Sequence, residues 1–153
     1  MEHDEVVHKL RRAYLKLLRN DRNLLELDVN ERSLTHKLAE YLQEEFVSWH
    51  VDCEYNRDGH DPKRVRVSHG ISAADTDAQT VYPDVIVHRR GTRDNLVVVE
   101  AKKTSTALTS EDASKLRAYR SELGYLFAFE VVFPVNEAAR DANVSVDVRE
   151  LSD

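Results

Sequence analysis

Three charged residues stand at the borders of two apolar segments in the middle of the chain. Asp84 opens the segment DVIV, and sixteen residues later Glu100 closes the run LVVV, with Lys102 two positions further on. Because side chains alternate between the two faces of a strand, we expect Glu100 and Lys102 on one face and Ala101 on the other. If the two segments pair, Asp84 and Glu100 lie side by side, next to the ammonium group of Lys102.

Two carboxylates and one ammonium group at one site are suited to phosphodiester hydrolysis. Carboxylate oxygens hold Mg²⁺ or Mn²⁺ and leave coordination positions open for water and for a phosphate oxygen. The metal lowers the pKa of that water, while Lys102 could orient the attacking hydroxide or stabilise the growing negative charge. The sequence has no phosphate-binding loop, dinucleotide fingerprint, zinc-protease helix or serine elbow, so those chemistries are not indicated.

The hydrophobic pattern predicts two helices ahead of these residues. Apolar residues recur at spacings of three and four over 5–18 and again over 29–46, with a polar connector between the two helices. Asp28 is expected to cap the second helix, and Glu31 to complete a capping box.

Apolar stretches, alternating or continuous, predict the strands. They cover residues 49–55, 81–87, 96–101, 124–133 and 144–151. A third helix is expected from Thr109 or Ser110 to its stop at Gly124. In the polar insertion 57–80, KRVRV is expected to form a short edge strand. The run LVVV lacks alternation, which is typical of a central strand covered on both faces.

This order of elements predicts an α/β protein in which a central mixed β-sheet is flanked by helices. A chain of 153 residues can bury one hydrophobic core but is too short for two ordinary domains. We therefore expect a single domain over 1–153, made of a helical N-terminal segment (1–27), a core (about 29–134) and a C-terminal strand (144–151).

At these residues the sequence resembles the PD-(D/E)XK nuclease superfamily. The similarity rests on Pro83-Asp84, followed by Glu100-Ala101-Lys102 at the end of an apolar strand, and covers roughly residues 29–134. Many members also carry a glutamate on the first core helix, and Glu31 is similar to that residue. The resemblance implies a restriction-endonuclease-like core.

The resemblance also implies an activity, that of a metal-dependent endonuclease which hydrolyses phosphodiester bonds of nucleic acid, with DNA as the expected substrate. Glu31, Asp84 and Glu100 would hold Mg²⁺, with Mn²⁺ as a substitute. Asp84, Glu100 and Lys102 would form the catalytic set. A homodimer would suit double-strand cleavage.

The charge distribution bears on nucleic-acid binding. The chain carries 22 Lys plus Arg against 28 Asp plus Glu, a net charge of −6, yet residues 57–103 hold nine basic and seven acidic residues. Basic side chains in this part are expected to contact phosphates, with weaker candidates on two helices. The candidates are Lys63, Arg64, Arg66, Arg89, Arg90, His36 and Lys115.

Simpler interpretations stay open for each part of the site. Glu31 could only cap a helix, Asp84 could only start a strand, and Glu100 with Lys102 could form an exposed ion pair. The alternative function is a catalytically inactive module of the same fold that binds nucleic acid or a protein partner. A third possibility is a phosphoesterase acting on small phosphate esters.

Composition limits the cellular setting. The single cysteine, Cys53, excludes a disulfide within the chain and suits a reducing cytoplasm. No apolar run approaches the ~20 residues that span a bilayer, so no membrane partner is expected.

Overall fold

A five-stranded mixed sheet forms the centre of the structure, a computed structural model that describes residues 1–65, 79–106 and 110–151. The helices are α1 (His3–Asn20), α2 (Arg22–Glu26), α3 (Glu31–Glu45), α4 (Ser110–Leu123) and α5 (Glu137–Arg140). The strands are β1 (His50–Cys53), β2 (Arg57–Asp58), β3 (Asp61–Pro62), β4 (Arg64–Val65), β5 (Gln79–Thr80), β6 (Val85–His88), β7 (Asn95–Lys103), β8 (Phe127–Phe133) and β9 (Val148–Glu150).

The strand order of the main sheet is β1-β6-β7-β8-β9, so the longest strand, β7, lies at its centre. β7 runs antiparallel to β6, with Val85 opposite Val99, and parallel to β8, which it reaches through the crossover helix α4. The predicted α/β class, the mixed sheet and the central position of LVVV are confirmed.

The two faces of β7 are covered by different helices. Val97, Val99 and Ala101 belong to the core cluster formed with α1 and α3, whereas Val98 packs with residues of α4. Alternation therefore turns the side chains of Glu100 and Lys102 toward α4 and that of Ala101 away from it, as predicted.

The start of α3 differs from the prediction. An N-cap must directly precede its helix, and this position belongs to Asn30, whose side-chain oxygen accepts a 2.9 Å hydrogen bond from the Ser33 N–H. Asp28 instead has a left-handed φ of 50° and pairs with Lys103 at 2.9 Å. Since Glu31 is the first residue of α3 rather than its third, the predicted capping box is wrong.

The connector between the first two long helices is not irregular. Residues Arg22–Glu26 form α2, a short helix that places the side chain of Leu25 fully buried in the core.

The C-terminal strand is shorter than predicted. It is β9, which pairs with β8 at the edge of the sheet.

Within the insertion 57–80, the described residues 57–65 and 79–80 form two small antiparallel pairs outside the main sheet. β2 pairs with β3, and β4 pairs with β5 so that Arg64 lies opposite Thr80. The strand predicted within KRVRV is thus present at Arg64–Val65, although it pairs with β5 and not with the main sheet.

Within the described ranges, no helix has the length and apolar character needed to cross a bilayer.

Candidate active site

Asp84 and Glu100 meet where β6 and β7 separate. Val85 pairs with Val99, so Asp84 stands just before the first residue of β6 and Glu100 just beyond the paired residue of β7. The Asp84 carboxylate accepts a hydrogen bond of 2.8 Å from the Ala101 N–H. The strand register therefore fixes the Asp84 side chain against the segment that carries Glu100 and Lys102.

A cavity of about 420 Å³ opens at this junction. Its walls combine the end of the sheet with α4, the first turn of α3 and the segment after β5. The lining residues are Glu31, Thr80, Val81, Tyr82, Asp84, Glu100, Lys102, Glu111, Lys115 and Tyr119. The structure thus brings together the four residues of the predicted metal and catalytic set, and Lys115 with them.

Backbone hydrogen bonds hold the segment that leads into Asp84. The Val81 N–H donates to the Lys63 carbonyl at 3.1 Å, and the Glu54 N–H donates to the carbonyls of Pro83 and Asp84 at 3.0 and 3.3 Å. Pro83 is buried and its ring fixes the backbone φ angle. Asp84 is consequently held by covalent geometry and by contacts on both sides.

Burial makes the charged forms of both carboxyl groups unfavourable. Burial raises the pKa of Asp84, and the negative charge of Glu31 raises it further. The hydrogen bond from the Ala101 N–H and the positive charge of Lys102 lower it, but by less. The Glu100 side chain is more deeply buried, with a residue exposure of only 7%. Burial raises the pKa of Glu100 even further, and the neighbouring Asp84 charge raises it more, with partial compensation from Lys115 and Lys102.

One oxygen at this site is left without a partner. Glu100 Oε1 is buried and has no hydrogen-bond partner among the described residues. A buried acceptor in this state costs roughly 1–3 kcal/mol unless something binds to it. Burial, followed by the charges of Glu100 and Asp84, raises the pKa of Tyr119, which lines the same cavity.

These features fit a hard divalent cation. In the described part of the chain, no group of three or more His, Cys, Asp or Glu side chains, including the predicted set of Glu31, Asp84 and Glu100, could hold a metal ion as a cage of protein ligands. Mg²⁺ does not require such a cage, because it commonly binds through one or two carboxylates and keeps several waters. Asp84 and the unpartnered oxygen of Glu100 provide that donor set, and Glu31 lines the same cavity.

Lys102 is held by an acid that sequence reasoning did not identify. Its Nζ lies 3.2 Å from the carboxylate of Asp112, a buried residue in the first turn of α4. Burial by itself lowers the pKa of Lys102, but the ion pair with Asp112 outweighs this effect and the net pKa is raised. Lys102 therefore stays positively charged beside the two carboxyl groups.

Glu130 is another acid at this place that the sequence analysis missed. It lies opposite Glu100 in the parallel register of β8, its Oε1 is buried without a partner in the described part of the chain, and burial raises its pKa. The signal was present in the sequence, since Glu130 interrupts an otherwise apolar strand. Tyr119 gave no such signal, because its spacing within α4 matches an ordinary core position.

Two of the predicted phosphate-contacting arginines lie far from the site. Arg89 and Arg90 follow the last residue of β6, whereas Asp84 precedes its first, so the strand separates them by roughly 16 Å. Each is also engaged in an ion pair, Arg89 with Asp94 at 3.1 Å and Arg90 with Asp52. Arg89 and Arg90 therefore lie at the far end of β6 from Asp84, and their contact with phosphates stays a prediction.

Lys63 and His36 also depart from the prediction. Lys63 is 0% exposed, donates to the carbonyls of Tyr55 and Arg57 at 3.2 and 2.5 Å, and burial lowers its pKa to about 8. His36 pairs with Glu40 at 3.0 Å and lines a different groove. Neither side chain faces the cavity.

Two of the remaining candidates stay compatible with substrate contact. Arg64 is exposed and lies opposite Thr80, which lines the cavity, and Lys115 lines the cavity itself. Arg66 lies outside the described residues.

The chain matches no protein-family model, and neither a curated protein nor a solved structure is significantly similar to it. The resemblance to the PD-(D/E)XK superfamily therefore rests on the motif residues alone.

The raised pKa of Glu100 predicts a pH-dependent stability. The folded protein holds its proton more tightly than the unfolded chain, whose glutamates titrate near pH 4.3, so stability falls as the pH rises from about 4 through the raised pKa. Glu100→Gln removes the charge, and we expect it to increase the free energy of unfolding by about 1–3 kcal/mol at pH 8 without divalent metal.

Urea denaturation in the presence of EDTA measures this difference. The gain should shrink toward zero at pH 4, where wild-type Glu100 is also neutral. Glu5→Gln, which changes an exposed acid, should have little effect at either pH. A Glu100→Gln protein that is less stable than wild type at pH 8 would show that the carboxylate stabilises the metal-free fold.

Proposed function

We propose that this protein is a metal-dependent nuclease that hydrolyses phosphodiester bonds of nucleic acid, with DNA as the expected substrate. The observation that carries the proposal is the half-buried Asp84 beside the buried Glu100, whose Oε1 has no partner in the described structure, next to a positively charged Lys102 in an open cavity. We also propose that the fold is restriction-endonuclease-like, with α3, β1, β6, β7, α4 and β8 as its core.

The charge of the cavity supports a requirement for metal. Four carboxyl side chains and two ammonium groups line it, so an anionic phosphodiester would meet a net negative lining when the acids are ionised. A bound Mg²⁺, or Mn²⁺ in its place, would neutralise this charge and activate water and the phosphate for hydrolysis. Asp84 and Glu100 would hold it, with Glu31 beside them.

The residues of the chain have separate tasks in this proposal. Asp84 is oriented by the Ala101 N–H, which leaves its second oxygen for a ligand. Lys102 would orient the attacking water and stabilise the charge on the phosphate as the new phosphorus–oxygen bond forms and the bond to the leaving oxygen breaks. Lys115, on the opposite wall, would contact the incoming phosphate.

Two adjacent lysines allow a matched test of this assignment. Lys102 faces the cavity, whereas Lys103 faces away from it and pairs with Asp28. We expect Lys102→Ala to lower the rate of DNA cleavage by at least about 100-fold, because it removes charge stabilisation in the transition state. Lys103→Ala should retain cleavage at temperatures where circular dichroism shows it folded.

The assay compares supercoiled plasmid, single strands, branched DNA and RNA with Mg²⁺ or Mn²⁺. EDTA, Asp84→Asn and Glu100→Gln should each abolish cleavage. Equal cleavage by wild type, Lys102→Ala, Asp84→Asn and Glu100→Gln would contradict the proposed site. Binding of nucleic acid without any cleavage would favour the inactive module instead.

The ion pair between Asp112 and Lys102 leads to a second prediction. Asp112→Asn removes the charge that raises the pKa of Lys102, so the alkaline limb of the pH–rate profile should move to lower pH. We expect a rate loss of about tenfold at pH 9 and a smaller loss at pH 7.

A merely structural role for Asp112 would lower the rate by the same factor at every pH. Asp112→Glu, which retains the charge, should keep the alkaline limb near its wild-type position. An unchanged profile in Asp112→Asn would exclude the proposed positioning role.

A further inference from the structure

Tyr82 is a large aromatic side chain held outward at the mouth of the cavity. It is 60% exposed, yet it lines the same cavity as Glu31, Asp84 and Glu100. Its neighbours Val81 and Pro83 are both buried, whereas Tyr82 between them is exposed to solvent.

The backbone of this segment is fixed on both sides of Tyr82. The Val81 N–H donates to the Lys63 carbonyl, and the Pro83 carbonyl accepts from the Glu54 N–H. A rigid aromatic ring loses little conformational freedom when a flat ligand packs on it. Tyr82 is therefore better suited to contact a ligand than an exposed side chain on an unsupported loop.

The position of Tyr82 relative to Asp84 matches the dimensions of a nucleotide chain. Because the two residues are only two positions apart in the chain, their Cα atoms lie within roughly 7 Å of each other. A phosphodiester at the carboxylates would thus place the base of an adjoining nucleotide within reach of the Tyr82 ring. The face of a base is accessible to such a ring only when the base is not stacked within a duplex.

We propose that Tyr82 is a stacking platform for one unpaired nucleobase, so that the site takes single-stranded nucleic acid or the unpaired end of a branched substrate. This inference rests on the proposed nuclease function and names the substrate class of the same site. Because every base has an aromatic face, the contact is tolerant of sequence. Arg64, exposed opposite Thr80, is placed to assist through the phosphate backbone.

Fluorescence anisotropy with labelled DNA in Mg²⁺ tests the proposal. The probes are a single strand, its duplex, and a single strand of equal length that is abasic throughout. The binding experiments use a Lys102→Ala background, in which cleavage is suppressed. We expect the ordinary single strand to bind about 5- to 100-fold more tightly than the abasic strand, which has phosphates but nothing to stack.

Three further variants in that background distinguish stacking from general effects. Tyr82→Ala should abolish the preference for the base-bearing strand, and Tyr82→Phe should keep it because the ring remains. Val47→Ala removes another exposed apolar side chain, beyond the far end of α3, and should not change the preference. Circular dichroism establishes that each variant is folded.

The outcomes separate this inference from the proposed function. If Tyr82→Ala binds all three probes as its parent does, or if the parent binds the duplex more tightly than the single strand, the stacking proposal is overturned. Cleavage that depends on Asp84 and Glu100 would still support a nuclease in that case. Conversely, a base-dependent preference that requires Tyr82 would support the stacking proposal even if wild type cleaved no substrate.

Discussion

The placement of the half-buried Asp84 beside the buried Glu100 is the interaction on which the candidate site depends. Like charges in a poorly solvated place repel each other, and burial alone already raises the pKa of each carboxyl group. Such an arrangement is unfavourable for folding and persists only when the surrounding structure holds it in place. The pairing of β6 with β7 provides that support, because it places the two acids at the point where the strands part.

The rest of the domain gives this junction its rigidity. β7 is central, is covered by α1 and α3 on one face and by α4 on the other, and so cannot shift its register without exposing apolar residues. Lys102 and Lys103, although adjacent, are fixed from opposite faces by Asp112 and Asp28. The end of β7, just beyond Glu100, is therefore held by one ion pair on each face of the sheet.

The parts of this arrangement that depend on local pattern could be predicted from the sequence. The run LVVV indicated a central strand, and strand alternation alone placed Glu100 and Lys102 on one face. The start of α3 was misjudged because both Asp28 and Asn30 are good N-cap residues, and only the contact of Asp28 with Lys103, 75 positions away, decides between them. Local pattern contains no information about such a contact.

The basic residues show a second limit of sequence reasoning. Arg89 and Arg90 are close to Asp84 in sequence, but an extended strand carries them to the opposite end of the sheet. Lys63 has no local sign of burial, because the rings of Tyr55 and Tyr125 that surround its ammonium group, at 4.9 and 5.9 Å, come from separate parts of the chain. Asp112 likewise gives no local sign of its contact with Lys102, because that contact depends on how α4 crosses the sheet.

The proposed nuclease requires that Asp84 and Glu100 together bind a small divalent cation. The most direct measurement is an anomalous difference map from a crystal of the protein soaked in Mn²⁺. We expect a peak between the two side chains, at the roughly 2.0–2.2 Å that oxygen ligands keep from such cations, and no peak there in Glu100→Gln. A wild-type map with no peak at this pair, or with Mn²⁺ bound only elsewhere, would contradict it.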